Sequence, residues 1–407
     1  MSAYRDLATP VLVRVPDIEL VPEWGADPRL TVLMPHLALA RMTGGPNTIL
    51  NVAGRLAARG VGLRFVSVAG PTDADAEALR RHAEQLAETA LPPDRVSFHG
   101  AGESGGALRI GPRDVLMATW WPTAHVARAA LERMSVDAFI YLIQDFEPGF
   151  YPWSAKHAMA AATYGFPHRA VVNEHFLLDY LTGQGIGQFG RPGAVDRAIA
   201  FEPAVDRSLF HPQPRVGERR RLLFYARPRN ERNLFELGLR ALRDVAAAGL
   251  LPPDRWEVVA IGATFEELAL APGVRLAQAP WLAYEAYAEE LRTSDVLLAL
   301  MLSPHTGYPA LEMAACGRLV VTNEFGPKTA DALGALSPML RAAAPEPGAL
   351  ADALARAIAD AEAAPSPADG GGGSPPLALP GSWADALADV TPWLERTARE
   401  LGRWDAA

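Results

Sequence analysis

Residues 222–247 read LLFYARPRNERNLFELGLRALRDVAA. The apolar run Leu222–Ala226 has no polar alternation, as expected of a strand covered on both faces. A polar loop, Arg227 to Arg232, follows, and from Asn233 to Ala247 the Leu and Ala residues fall at helical spacing. Strand, polar loop and helix make half of a βαβ unit, and the pattern recurs. Downstream it predicts strands at Trp256–Ile261, Val296–Leu300 and Leu319–Thr322, with helices at Tyr284–Thr293 and Pro309–Cys316. Upstream it predicts strands at Thr31–Pro35, Leu63–Val68, Val115–Ala118, Phe139–Ile143 and Ala170–Val172. Helices are expected at Pro46–Arg59, stopped by Gly60, and at Asp73–Glu88. Strands alternating with helices imply a parallel sheet. The fold class is therefore α/β, with two doubly wound Rossmann-like domains facing across a cleft, where such folds bind ligands.

The 407 residues suit more than one domain. The proposed division is 1–205, an N-terminal Rossmann-like domain entered by an arm with Val11-Leu12-Val13, and 206–363, a second Rossmann-like domain. Residues 364–382 form a Gly/Pro-rich linker containing GGGGS. Residues 383–407 form a C-terminal helix, about Trp383–Leu401, packed back on the N-terminal domain. Apolar residues make up 49% and charged residues 21%, a globular balance. The net charge of −9 disfavours nucleic acid as a partner. The triplet Arg219-Arg220-Arg221 reads as a solvated lead-in to a strand. A single cysteine, Cys316, excludes an internal disulfide and a cysteine-based zinc site; before Gly317 it reads as a small buried residue. No apolar run approaches the roughly 20 residues that span a bilayer, and no secretory signal is apparent. A soluble, cytoplasmic protein is expected.

Gly44-Gly45-Pro46-Asn47 lies between a strand and a helix start. It is either a plain tight turn or a place where backbone N–H groups hold a phosphate or oxyanion. Arg227 to Asn233 occupies the equivalent place in the second half. Its guanidinium groups either clamp a diphosphate or are ordinary surface charge. Ser303 to Gly317 (SPHTGYPALEMAACG) leaves a strand and enters a short helix with Glu312 in its first turn, where the dipole favours a carboxylate that either accepts ribose hydroxyls or only caps the helix. Asp145-Phe-Glu147-Pro-Gly-Phe-Tyr151-Pro-Trp153 sets two carboxylates among aromatics after a strand. With Thr119-Trp120-Trp121-Pro122 it suits hydroxyl binding and sugar stacking, or packing at a domain edge. Three matches are discarded. Gly185 to Gly190 fits GxGxxG but follows a helix, and Gly102 to Gly106 fits GxSxG without a following helix. Asp73-Ala-Asp75 is better read as helix capping.

The stretch Glu202-Pro-Ala-Val-Asp206 with Phe210-His-Pro212 resembles the domain-junction signature of GT-B glycosyltransferases. GGPN, YLIQDFEPGFYP, ARPRNERNLFELGLRAL and HTGYPALEMAACG together resemble WsaF-like rhamnosyltransferases, in retaining glycosyltransferase family 4. The resemblance runs from about residue 30 to 340. It implies a transferase that moves a sugar, L-rhamnose from dTDP-L-rhamnose, onto a glycan or lipid-linked glycan in surface-polysaccharide synthesis, with no metal or other cofactor. Arg227 and Arg232 would grip the diphosphate, and Glu312 the ribose. Gly44, Gly45, Asn47, Arg229, Asn230 and Tyr308 would complete the donor side. Asp145 and Glu147 would orient the acceptor or lie near the anomeric carbon, with Trp120, Trp121, Phe146 and Tyr151 around it. The family's Glu-x7-Glu would put an acid at 304, where this chain has Pro304, leaving His305 or Thr306 to support the donor sugar. Two rivals are a non-catalytic glycosyltransferase-like binding module and a serine hydrolase built on Ser104.

Overall fold

A computed structural model describes residues 18–42, 44–68, 76–100, 107–214, 217–280, 282–363 and 377–404. The arm at Val11, the Asp73-x-Asp75 pair, the Ser104 motif and the GGGGS stretch lie outside the described residues. The chain divides into two compact units, Met1–Phe201 with Ala386–Ala407, and Glu202–Asp385.

In the first unit the strands are β1 (Glu19–Pro22), β2 (Leu30–Met34), β3 (Leu63–Ser67), β4 (Val96–Gly100), β5 (Ala107–Ile110), β6 (Val115–Ala118), β7 (Phe139–Ile143), β8 (His168–Asn173) and β9 (Ala198–Phe201). Seven form one sheet in the order β4-β3-β2-β6-β7-β8-β9, while β1 and β5 pair separately. Every neighbouring pair in the large sheet is parallel. β2, β6 and β7 are buried at each position, which is why they read as unbroken apolar runs. The first helix runs Gly44–Gly54 and tightens to a 3-10 turn at Arg55–Arg59, ended by Gly60 at φ 79°. A Cβ on Gly54 would sit 2.7 Å from the Ala87 Cβ, so only glycine lets the helix Ala76–Ala87 approach this closely.

The second unit repeats the design with β10 (Arg220–Tyr225), β11 (Trp256–Ile261), β12 (Leu268–Ala271), β13 (Val274–Gln278), β14 (Val296–Leu298), β15 (Leu319–Asn323) and β16 (Leu340–Ala343). Their order is β12-β13-β11-β10-β14-β15-β16, with only the edge strand β12 antiparallel. The strand order reverses between β2 and β6 in one unit and between β10 and β14 in the other. These are the switch points outside which doubly wound sheets bind ligands. Both sheets are thus the parallel α/β sheets expected from the sequence.

An aspartate at the amino end of the crossover strand ties each sheet together. Asp114, fully buried before β6, accepts from Arg29 N at 2.9 Å, Thr31 Oγ1 at 3.0 Å and Arg64 Nη1 at 2.7 Å. Asp295, before β14, accepts from Arg221 N at 2.9 Å and Arg220 Nη1 at 3.0 Å. The arginine triplet is therefore a solvated lead-in only at the exposed Arg219. Arg220 and Arg221 already belong to β10, which has a neighbour on each side, and Arg221 also pairs with Glu257 and Glu290.

The C-terminal helix differs from expectation. It is split into Trp383–Ala386 and Val390–Gly402. Pro392 has no N–H and crowds the carbonyl of residue 388, which disfavours it in a helix interior, and the break places it in the first turn of the second segment. Val390, Leu394 and Ala398 are buried, and Trp404 Nε1 donates to Arg113 O at 2.9 Å, within the first unit. The end of the Gly/Pro-rich stretch is held within the second unit, where Val205 N donates to Pro380 O and Ala378 N to Leu336 O. Among the described residues no helix is long and apolar enough to cross a membrane.

Candidate functional site

In the second unit three loops leave the adjacent strands β10, β14 and β15, and hydrogen bonds stitch them together. Leu302 N donates to Arg232 O at 2.7 Å, and Asn233 Nδ2 donates to Leu300 O at 3.1 Å, joining the arginine loop to the next. Asn323, ending β15, brackets Met301: its Oδ1 accepts from Met301 N at 2.7 Å and its Nδ2 donates to Met301 O at 3.0 Å. Lys328 Nζ, fully buried, donates to Met301 O at 2.9 Å and His305 O at 3.4 Å. Arg227 and Arg229 are exposed, Asn230 is half-buried, and burial lowers the half-buried Arg232 guanidinium to about 10, still cationic at neutral pH.

His305 and Thr306 are buried in the loop after β14. Burial, with Arg232 and Lys328 nearby, pushes His305 down to about 3, so its ring is neutral. His305 Nδ1 accepts from Gly307 N at 2.9 Å, which assigns the ring hydrogen to Nε2. The His305 and Tyr308 rings lie 6.0 Å apart. The following helix starts at Tyr308, so Glu312 falls in its second turn, and the helix end does not stabilise it as the sequence suggested. Two tyrosines hold it instead. Tyr287 donates to Oε2 at 2.8 Å and Tyr284 to Oε1 at 3.4 Å. Their rings are stacked, and Phe210 of the junction stretch meets both edge-on. Burial raises Glu312 to about 7. Cys316, at the end of this helix, is buried, and burial pushes its thiol up to about 12, which makes it inert.

The first unit gathers a second set at the carboxyl ends of β2, β6 and β7. Gly44 and Gly45 are exposed and already form the start of the helix expected from Pro46; a Cβ on Gly45 would lie 3.7 Å from the Gln144 amide, so this helix start adjoins the end of β7. Asn47 faces elsewhere, its Oδ1 meeting His82 Nε2 at 3.1 Å. Thr119 Oγ1 donates to Leu33 O at 2.7 Å, tying the β6 loop to β2. Trp121 N donates to Glu147 Oε2 at 2.6 Å and Trp121 Nε1 to Tyr151 OH at 3.0 Å. Trp120 packs edge-on against Trp121. Glu147 thus serves as an internal brace, and burial raises it to about 8. Asp145 is 8% exposed, its Oδ1 accepting from Phe146 N at 2.8 Å, while the Phe146 ring packs on Tyr164 and Tyr180. GxGxxG at Gly185–Gly190 follows the helix His175–Gly183 and ends as a 3-10 turn, not as a phosphate loop.

Residues 29–174 match the family described as WsaF, N-terminal domain, and residues 220–355 that described as WsaF, C-terminal domain. The two spans take in well over half of the chain, in the order the fold requires. The chain belongs to the WsaF family. This WsaF-family chain is also 38% identical over 217 residues to the O-antigen biosynthesis protein RfbC of Myxococcus xanthus; the match covers 52% of the chain and 16% of RfbC. Among solved structures, sucrose-phosphate synthase of Thermosynechococcus elongatus matches at 13% identity and TM-score 0.55, covering 93% of this chain and 96% of that one. HepE of Anabaena, solved with UDP-glucose, matches at 13% identity and TM-score 0.55, covering 92% and 98%. These likenesses show the GT-B fold.

Several residues of this WsaF-family site escaped the sequence reading. Tyr284 and Tyr287 stand three apart on one helix face, a visible spacing, but nothing local links them to Glu312. Asn323 and Lys328 carry no motif, and only strand adjacency brings them to the loops that follow β10 and β14.

Proposed function

We propose that this WsaF-family chain is a glycosyltransferase that moves L-rhamnose from dTDP-L-rhamnose onto a glycan or lipid-linked glycan acceptor, with retention, in surface-polysaccharide synthesis. The observation that carries the reading is the stitched set of loops beyond β10, β14 and β15. It gathers Arg232, His305 and Lys328 at a switch point, while the buried Glu312 follows on the next helix. A diphosphate needs fixed cations, and a nucleoside sugar needs a carboxylate acceptor; this unit offers both. RfbC's role in O-antigen synthesis and HepE's binding of UDP-glucose point to the same class of chemistry.

In the proposed reaction the bond between the anomeric carbon and the diphosphate oxygen breaks as the acceptor hydroxyl attacks from the same face. The acceptor's proton passes to the departing phosphate oxygen. Arg227 and Arg232 stabilise the charge that develops there. His305, neutral and with hydrogen on Nε2, can donate to a donor-sugar oxygen in place of the acid missing at 304. Asp145 orients the acceptor hydroxyl beside Gly45 and the Trp120–Trp121 wall.

Incubating the protein with dTDP-L-rhamnose and candidate rhamnan or lipid-linked acceptors, with mass spectrometry of the products, tests this. Acceptor-dependent release of dTDP with an added deoxyhexose mass is expected. Pro304 in place of the family acid also fits a binding module without turnover. That reading stands if dTDP binds but no acceptor is ever glycosylated.

A further inference from the structure

Lys328 is fully buried, yet its side chain reaches a loop at the carboxyl ends of the central strands. It is one of two lysines in a chain that otherwise uses arginine, the other being Lys156. Its ammonium group donates to the carbonyls of Met301 and His305, which bound the segment leading to Thr306 and Gly307. Its own backbone is clamped by reciprocal bonds with Phe325, Phe325 N to Lys328 O at 3.0 Å and Lys328 N to Phe325 O at 3.1 Å. Asn323 fixes the same Met301 peptide from the start of this turn. Arg232 is bonded to the other side of that loop through Leu302. Lys328 and Arg232 are both close enough to His305 to disfavour its protonation.

Taking an ammonium out of water costs several kcal/mol, and an apolar side chain could fill the same space more cheaply. A compact cation with three donors can hold the loop and also present a fixed positive field to a phosphate group.

We propose that Lys328 is a positioning residue of the donor site, holding the Met301–His305 loop and placing its ammonium group behind the diphosphate of a nucleoside-diphospho sugar. This rests on the donor reading above and extends it to a residue outside the arginine loop. The diphosphate then meets cations from two strand ends, β10 through Arg232 and β15 through Lys328. A ligand with one phosphate fewer should feel the second cation less.

The two-lysine composition makes the test direct. Protein labelled with 13C at the lysine ε-carbons gives two side-chain signals, assigned with K156R. Saturating dTDP should move the Lys328 signal and leave Lys156 in place, and dTMP should move it less than half as far. By calorimetry K328M, folded by circular dichroism, should bind dTDP at least tenfold more weakly while dTMP affinity changes less than threefold. An unmoved Lys328 signal at verified dTDP saturation overturns the proposal. So does equal weakening of dTDP and dTMP in K328M, which marks a brace without an electrostatic role. Should K328M fail to fold, the labelled wild type decides. If wild-type protein binds neither nucleotide, the donor reading itself fails, a result separate from loss of the Lys328 effect alone.

Discussion

Tyr287 donates its hydroxyl to Glu312 Oε2 at 2.8 Å across a gap of 25 residues in sequence. The stacked Tyr284 reaches the other carboxylate oxygen, so the acid is oriented before any ligand arrives. A carboxylate held this way loses little freedom on accepting a sugar hydroxyl, which is the advantage of a preorganised site.

The acid is also poised to titrate near neutrality. Burial raises Glu312 from 4.5 to about 7. Between those values the folded chain keeps a proton that the unfolded chain has released, so stability is retained below the window and falls as pH rises through it. Glu312→Gln removes that slope. Its stability relative to wild type should climb between pH 4.5 and 7 by on the order of 3 kcal/mol. Paired denaturant titrations across this range measure the difference, and a flat difference curve would show that Glu312 is not desolvated in solution.

Arg227 is exposed at the end of β10, so its removal should not disturb the core. Arg227→Ala is expected to keep its melting temperature and to lose roughly 10²–10³-fold in transfer rate, the usual cost of one lost donor to developing charge. Steady-state kinetics with dTDP-L-rhamnose give the answer; a rate near wild type would refute the assigned role.

Asp145 and Glu147 should separate cleanly. Burial raises Glu147 to about 8, so at pH 7 its carboxyl is largely protonated and glutamine imitates it. Glu147→Gln should therefore change stability by less than about 1 kcal/mol and leave transfer within a few-fold. Asp145→Asn should slow transfer about 10²-fold by misplacing the acceptor. Equal losses in both variants would return Glu147 to the reacting groups.

Asp114→Ala leaves Arg64 buried without its carboxylate partner. Removing one member of such a pair typically costs about 3–5 kcal/mol. Chemical denaturation of the first unit should show a loss of this size, and a loss below about 1 kcal/mol would mean water reaches Arg64.

The sheets were legible because their central strands are covered on both faces. Phe139–Ile143 and Trp256–Ile261 are unbroken or nearly unbroken apolar runs, and the strands formed match them to the residue. Glycine likewise marked the turn at Gly60, and Pro309 marked the next helix start to within one residue, at Tyr308. Errors arose where a neighbour overrode a local cue. Arg220 and Arg221 read as solvated until the adjacent strands supplied Asp295, Glu257 and Glu290.

The sequence by itself determined that this chain builds two parallel α/β sheets, and it marked the glycine, arginine and acidic loops that leave them. Periodicity and turn chemistry are local, so a linear reading recovers them. Only the tertiary structure decided what those loops touch. Parallel strands are joined through long crossovers, so neighbours in space such as Asn233 and Leu300, or Lys328 and Met301, lie 67 and 27 residues apart in sequence. The same separation brought two tyrosines to Glu312 and made Glu147 a brace for Trp121.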